Sequence, residues 1–123
     1  MVPGDGPVIG VNGDALEFDT DRIEVAGGSE VVFVFNNSSS LYQHNLVFVQ
    51  AEQKDAVTNR GAQFPDDGWL DPNDPDLIAA SGLLDPGEVG EVRFTAPAAG
   101  TYQFVCTFPG HNVTMFGDFV VTP

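Results

Sequence analysis

Hydrophobic and polar residues alternate along most of this chain, and the dominant period is two. In "RIEVAGGSEVVFVF" (22–35) one face carries Ile23, Val25, Val31, Phe33 and Phe35, with Gly27 and Gly28 as the turn between two runs. "LYQHNLVFVQ" (41–50) sets Tyr42, His44, Leu46 and Phe48 against Leu41, Gln43, Asn45, Val47 and Val49. "LIAASGLL" (77–84) reads as a strand closed by the turn "DPGE" (85–88), where Pro86 presets φ and Gly87 permits a positive one. "GEVGEVRFTAP" and "GTYQFVCTF" continue the alternation on either side of "PAAG" (97–100), and "MFGDFVVTP" supplies a last strand. Residues 51–63, "AEQKDAVTNRGAQ", break the pattern; they predict a short helix, followed by an acidic Asp/Pro loop to about Asp76. Strands that are apolar on both faces in places, joined by frequent turns, predict an all-β sandwich or barrel with this helical flap.

Length and composition narrow the picture. A chain of 123 residues, 42% hydrophobic, is one domain able to bury a sizeable core, expected to span 1–123 with 1–7 as a flexible linker remnant. The longest apolar runs, "VVFVF" and "LVFV", fall far short of a spanning helix, which needs roughly 20 residues. No basic segment followed by an apolar stretch opens the chain, so no signal peptide is expected within it. A net charge of −14 argues against nucleic acid, whose phosphates need a basic footprint. The placement of the acids says more than their sum. None occurs from Val31 to Ala51 or from Val92 to Gly117, the two stretches that hold every cysteine and histidine. Core strands account for part of this, because carboxylates are costly to bury.

The stretch "CTFPGHNVTM" (106–115) gathers Cys106, His111 and Met115, the only cysteine, one of two histidines and the only methionine besides Met1. Pro109 and Gly110 force a tight loop, so the Cys106 sulfur and the His111 imidazole can converge; His44 lies far away in sequence, on a core-type strand. A thiolate, two imidazoles and a weak, long thioether are the ligand set of a blue-copper electron-transfer site. Taken singly, each residue has a plainer reading: Cys106 as a small buried hydrophobe, His44 as a satisfied core histidine, Met115 as core filler.

The run "GTYQFVCTFPGH" with a methionine four residues on closely resembles the azurin-like cupredoxins, and the likeness extends through "DALEFDTDRIEVAGGSEVVFVFNN", "QHNLV" and "LLDPGEVGEVRF". Within that family, "QHN" and the missing disulfide are most similar to the auracyanin branch, although the His111-to-Met115 spacing is the azurin one. The resemblance implies a Greek-key cupredoxin sandwich around one type-1 copper ion. It implies His44, Cys106 and His111 as equatorial ligands and Met115 as the axial one. It also implies that Asn45 and Phe108 offer backbone N–H groups to the Cys106 sulfur, and that the Asn45 side chain ties its strand to the Thr107 region. Gln43 stands where azurins carry a glycine whose carbonyl approaches copper, so a fifth contact there is open.

By the same resemblance His111 is the edge where electrons enter and leave, in an apolar docking patch of Leu41, Phe108, Pro109, Gly110 and Val113. The implied partners are redox proteins, a c-type cytochrome and a quinol-oxidising membrane complex, with no small-molecule substrate. The implied location is periplasmic or otherwise extracytoplasmic, with membrane contact only through a tether outside this sequence. Two rivals remain at this point. A copper chaperone or scavenger usually shows several exposed Met or paired Cys, and this chain has neither. A thiol enzyme using Cys106 with a histidine base leaves Met115 and one histidine without a task. A binuclear copper centre needs a second cysteine, and a multicopper oxidase needs more histidines.

Overall fold

A computed structural model describes residues 7–123; the expected linker at 1–7 lies, but for Pro7, outside them. The strands run β1 (Val8–Ile9), β2 (Arg22–Ala26), β3 (Glu30–Asn36) and β4 (Val47–Val49); the helix α1 (Lys54–Gly61) follows, then β5 (Leu77–Ala80), β6 (Val89–Thr95), β7 (Gly100–Val105) and β8 (Phe116–Thr122). They form a three-stranded sheet ordered β1-β3-β6 and a five-stranded sheet ordered β2-β8-β7-β4-β5. The result is a sandwich; among the described residues the two sheets do not close into a barrel.

Period-two alternation puts Phe33 and Phe35 of β3, Phe48 of β4, Phe104 of β7 and Phe119 of β8 into one core between the sheets. Phe48 stacks on Phe33 at 5.6 Å between centroids and meets Phe119 edge-on at 4.9 Å. Each such ring contributes roughly 1.5–3 kcal/mol by leaving water. Strand β4 is apolar on both faces because it serves two cores. Leu46 and Phe48 face the sandwich, whereas Val47 and Val49 join Val57, Leu70 and Val105 in a small second core beneath α1. Gly117 of β8 lies against the Phe104 ring and the Asp21 carbonyl, so no larger side chain fits there.

The strand periodicity located β2 to β8 but overstated several of their lengths, and it gave no sign of the two-residue β1. The run 41–50 pairs as a strand only over Val47–Val49, with His44 held in an isolated bridge to Leu84. The reason is competing hydrogen bonding: the side chains of Asn37 and Ser39 both donate to the Tyr42 carbonyl, at 2.9 and 2.8 Å. The strand expected over 77–84 ends at Ala80, just before Gly82 turns with φ 79°. The helix is shorter than 51–63, because Glu52 sits in the left-handed region at φ 62° and lets the chain enter only at Lys54. Around Gly27-Gly28 the chain does not fold back on itself. β2 pairs in parallel with β8 and β3 pairs with β6, so this turn carries the chain from one sheet to the other.

Candidate metal centre

Three separate pieces of backbone meet at one end of the sandwich. His44 is fixed by the bridge to Leu84, its N–H donating to the Leu84 carbonyl at 3.1 Å and its carbonyl accepting at 2.9 Å. Cys106 follows the last residue of β7, and its N–H donates to the Met115 carbonyl at 3.0 Å, closing the loop. Between them Gly110 adopts φ 87°, a left-handed conformation glycine takes without strain, and starts the 3-10 turn His111–Val113. The Met115 N–H donates to the His111 carbonyl at 2.8 Å, which sets Met115 beneath the loop.

Among the described residues, His44, Cys106 and His111 form the one group of three potential metal donors, all buried. The Cys106 Sγ lies 3.8 Å from His44 Nδ1 and 3.7 Å from His111 Nδ1, and the two Nδ1 atoms are 3.2 Å apart. A point equidistant from three atoms so spaced lies roughly 2.1 Å from each, which is the length of a metal–imidazole bond and slightly less than a metal–thiolate bond. The donor set therefore fits a first-row ion that accepts sulfur and imidazole in a trigonal arrangement. Met115, fully buried, belongs to the same core cluster as Cys106.

The electrostatics of the site agree with that fit. Burial lowers His44 to about 4, aided by the charge of His111 and opposed by Asp14, and burial lowers His111 as well. Both imidazoles are thus neutral at pH 7, with lone pairs to give. Burial pushes the Cys106 thiol up to about 11, while backbone N–H groups of Asn45 and Phe108 pull it down by bonding the sulfur. A thiol so raised is a poor nucleophile at neutral pH, whereas a bound cation deprotonates it outright. Asn45 joins the two ligand segments: its Nδ2 donates to Thr107 Oγ1 at 2.8 Å and its Oδ1 accepts from the Thr107 N–H at 2.8 Å. Gln43 turns its side chain outward to donate to Asp85 Oδ1 at 2.7 Å.

Of the residues assigned to a docking patch, Leu41 and Val113 are 68% and 70% exposed, Pro109 and Gly110 are exposed, and Phe108 is half-buried with its ring 4.6 Å from that of His111. His111 itself keeps only 5% of its surface in contact with solvent. Three neighbours escaped the sequence reading as site residues. Tyr42 sets its ring edge-on to His111 at 5.9 Å and near His44 at 6.2 Å, and its place two residues before His44 on the alternating face was a usable signal. Trp69 meets Phe108 at 5.7 Å from an irregular segment, where no periodicity points to it. Lys54, on α1, reaches the loop by donating from Nζ to the Asn112 carbonyl at 2.9 Å.

The plastocyanin/azurin family of copper-binding proteins matches the chain over residues 7–122. Auracyanin-A of Chloroflexus aurantiacus is 40% identical over 124 residues, covering 96% of this chain and 76% of that protein. The dithionite-reduced auracyanin of the photosynthetic bacterium Roseiflexus castenholzii superposes with a TM-score of 0.91 at 34% identity, covering 96% of this chain and 97% of the other. Outer membrane protein H.8 of Neisseria gonorrhoeae is 31% identical over 111 residues, covering 85% of this chain and 61% of that protein.

Proposed function

The chain belongs to the plastocyanin/azurin family of copper-binding proteins and is a single-copper electron carrier rather than an enzyme; from that premise we propose that His44, Cys106 and His111 would hold the ion as its principal ligands, with Met115 as the weak one. The observation that supports this most directly is the buried triangle of Sγ and two Nδ1 atoms. Copper bound there supplies a Cu(I)/Cu(II) couple, and soft sulfur suits the first state while imidazole suits the second. The chain's residues do the rest. The N–H groups of Asn45 and Phe108 stabilise thiolate charge, and Pro109, with no N–H, adds no further donor to the sulfur. The sealed core keeps water from the ligands, and the Asn45–Thr107 pair keeps the two ligand segments in register.

Its partners are redox proteins. We assign the exchange of electrons to His111, within a docking surface of Leu41, Phe108, Pro109, Gly110 and Val113, extended by the exposed Tyr42. The residues named for this face carry no charge, which permits close approach and quick release, while Asp14 at its edge, bonded by the Ser40 N–H at 2.6 Å, and the acids around 65–76 favour a partner of basic surface. A c-type cytochrome on one side and a quinol-oxidising membrane complex on the other fit that description. We place the protein outside the cytoplasm, held to a membrane by a tether; a relative named for the outer membrane supports this, and among the described residues no helix is long and apolar enough to cross one.

Addition of Cu(II) to the purified protein tests the site. An intense blue colour that bleaches with ascorbate is expected, and a pale or colourless product overturns the ligand assignment.

A further inference from the structure

Lys54 is the only lysine in the chain, and it opens α1. A helix start favours anions, so a cation there is at a disadvantage unless it is held elsewhere. It is: the side chain lies along the protein surface with only 15% of its area exposed. Its Nζ donates to the carbonyl of Asn112 at 2.9 Å and pairs with Asp55 Oδ1 at 2.8 Å. It also stands 4.2 Å from the centroid of the Phe116 ring, close enough for a cation–π attraction. Asp55 Oδ1 accepts in turn from Asn112 Nδ2 at 2.7 Å, completing a three-residue cycle. Behind this cycle, the backbone N–H of Lys54 donates to Gln103 Oε1 at 3.1 Å, which moors the helix start to β7, the strand that leads into Cys106.

One side chain thus grips the residue after His111 and the residue after Met115, from a base fixed to the cysteine strand. We propose that Lys54 is a positioning residue for the segment His111–Phe116, holding it against α1 so that the His111 ring keeps its bearing on the Cys106 sulfur whether or not an ion is bound. The proposal rests on the copper reading above. Its consequence for electron transfer is that ligands already pinned by the protein rearrange little when the ion changes charge, which favours fast exchange.

The test compares the parent protein with Lys54→Met, which keeps an apolar stem but loses charge and donors, and with Lys54→Arg, which restores both. In the metal-free proteins, amide hydrogen exchange at residues 111–116 is expected to be at least about tenfold faster in K54M, with other amides unchanged and K54R returning most of the protection. After loading with Cu(II), the blue absorption band of K54M is expected to be broadened and shifted, and that of K54R to return to the parent position. Unchanged exchange at 111–116, acceleration spread evenly over both sheets, or a K54M band identical to the parent's each overturns the proposal. Since exchange is read without metal, failure of the parent itself to take up copper strikes the ligand assignment alone.

Discussion

Cys106 has no solvent exposure and a thiol pushed up to about 11, so its chemistry depends on the ion it meets. Cys106→Ser is expected to abolish the blue absorption while leaving the β-sheet circular dichroism unchanged; a variant that stays blue places the sulfur elsewhere. Met115→Leu is expected to keep the colour and raise the reduction potential, because a thioether lone pair favours the more highly charged ion; a fall in the potential contradicts the axial role. The histidines set a pH dependence of the metal-free protein. Native His44 titrates at about 4 and the unfolded chain near 6.5, so between those values the unfolded state binds more protons and falling pH favours it. His44 alone is expected to remove about 3 kcal/mol of stability as pH drops from 7 to 4. Cys106 adds the opposite limb, losing stability above pH 9 as the unfolded thiol ionises first. Urea midpoints of chelator-treated protein measure both limbs, and a flat profile from pH 7 to 4 is the contrary result.

At the level of elements, stability rests on side chains that tie irregular segments to regular ones. Asn45 joins the His44 segment to the cysteine loop, and Asn45→Ala is expected to destabilise the protein by about 2 kcal/mol, since it removes two buried hydrogen bonds and strands the Thr107 N–H. The acidic loop is clasped to the helix by Arg60, whose Nε and Nη2 bond the Asp74 carboxylate at 2.8 and 3.0 Å and whose Nη2 also reaches Asp76 at 2.9 Å. The Asp74 side chain has no exposure although Arg60 is half-exposed. Arg60→Met leaves that carboxylate without its cation, and chemical denaturation is expected to show a lowered midpoint, with an unchanged midpoint as the contrary result. These clasps were invisible along the chain. "NDPD" reads as a loop of solvated acids, and only the return of α1 over residues 74–76 makes Asp74 a buried anchor. The flap itself was legible because it lacked alternation; its ends were not, because Glu52 adopts a backbone conformation that its residue type rarely takes.

For the whole molecule, charge and shape divide the work. A net charge of −14 sits on a protein whose proposed docking face has no acidic residue of its own. Electron exchange with a basic partner is expected to slow steeply as salt rises, because attraction beyond about 8–10 Å is screened near physiological ionic strength. Stopped-flow rates across a salt series check this, and rates independent of salt contradict steering.

The sequence by itself determined the donor types, the scarcity that left them few other roles, the strand period and the one helical interruption. All of these are local properties, written in neighbouring residues. Tertiary structure decided that His44 and Cys106, 62 positions apart, present their donor atoms 3.8 Å from each other. It also decided that β2 crosses to the five-stranded sheet and that Lys54 reaches back to the ligand loop. The physical reason is that a period of two states which face of a strand is apolar but not which strand lies beside it. That choice is made by packing two sheets around one set of phenylalanines, and the metal triangle is a consequence of it.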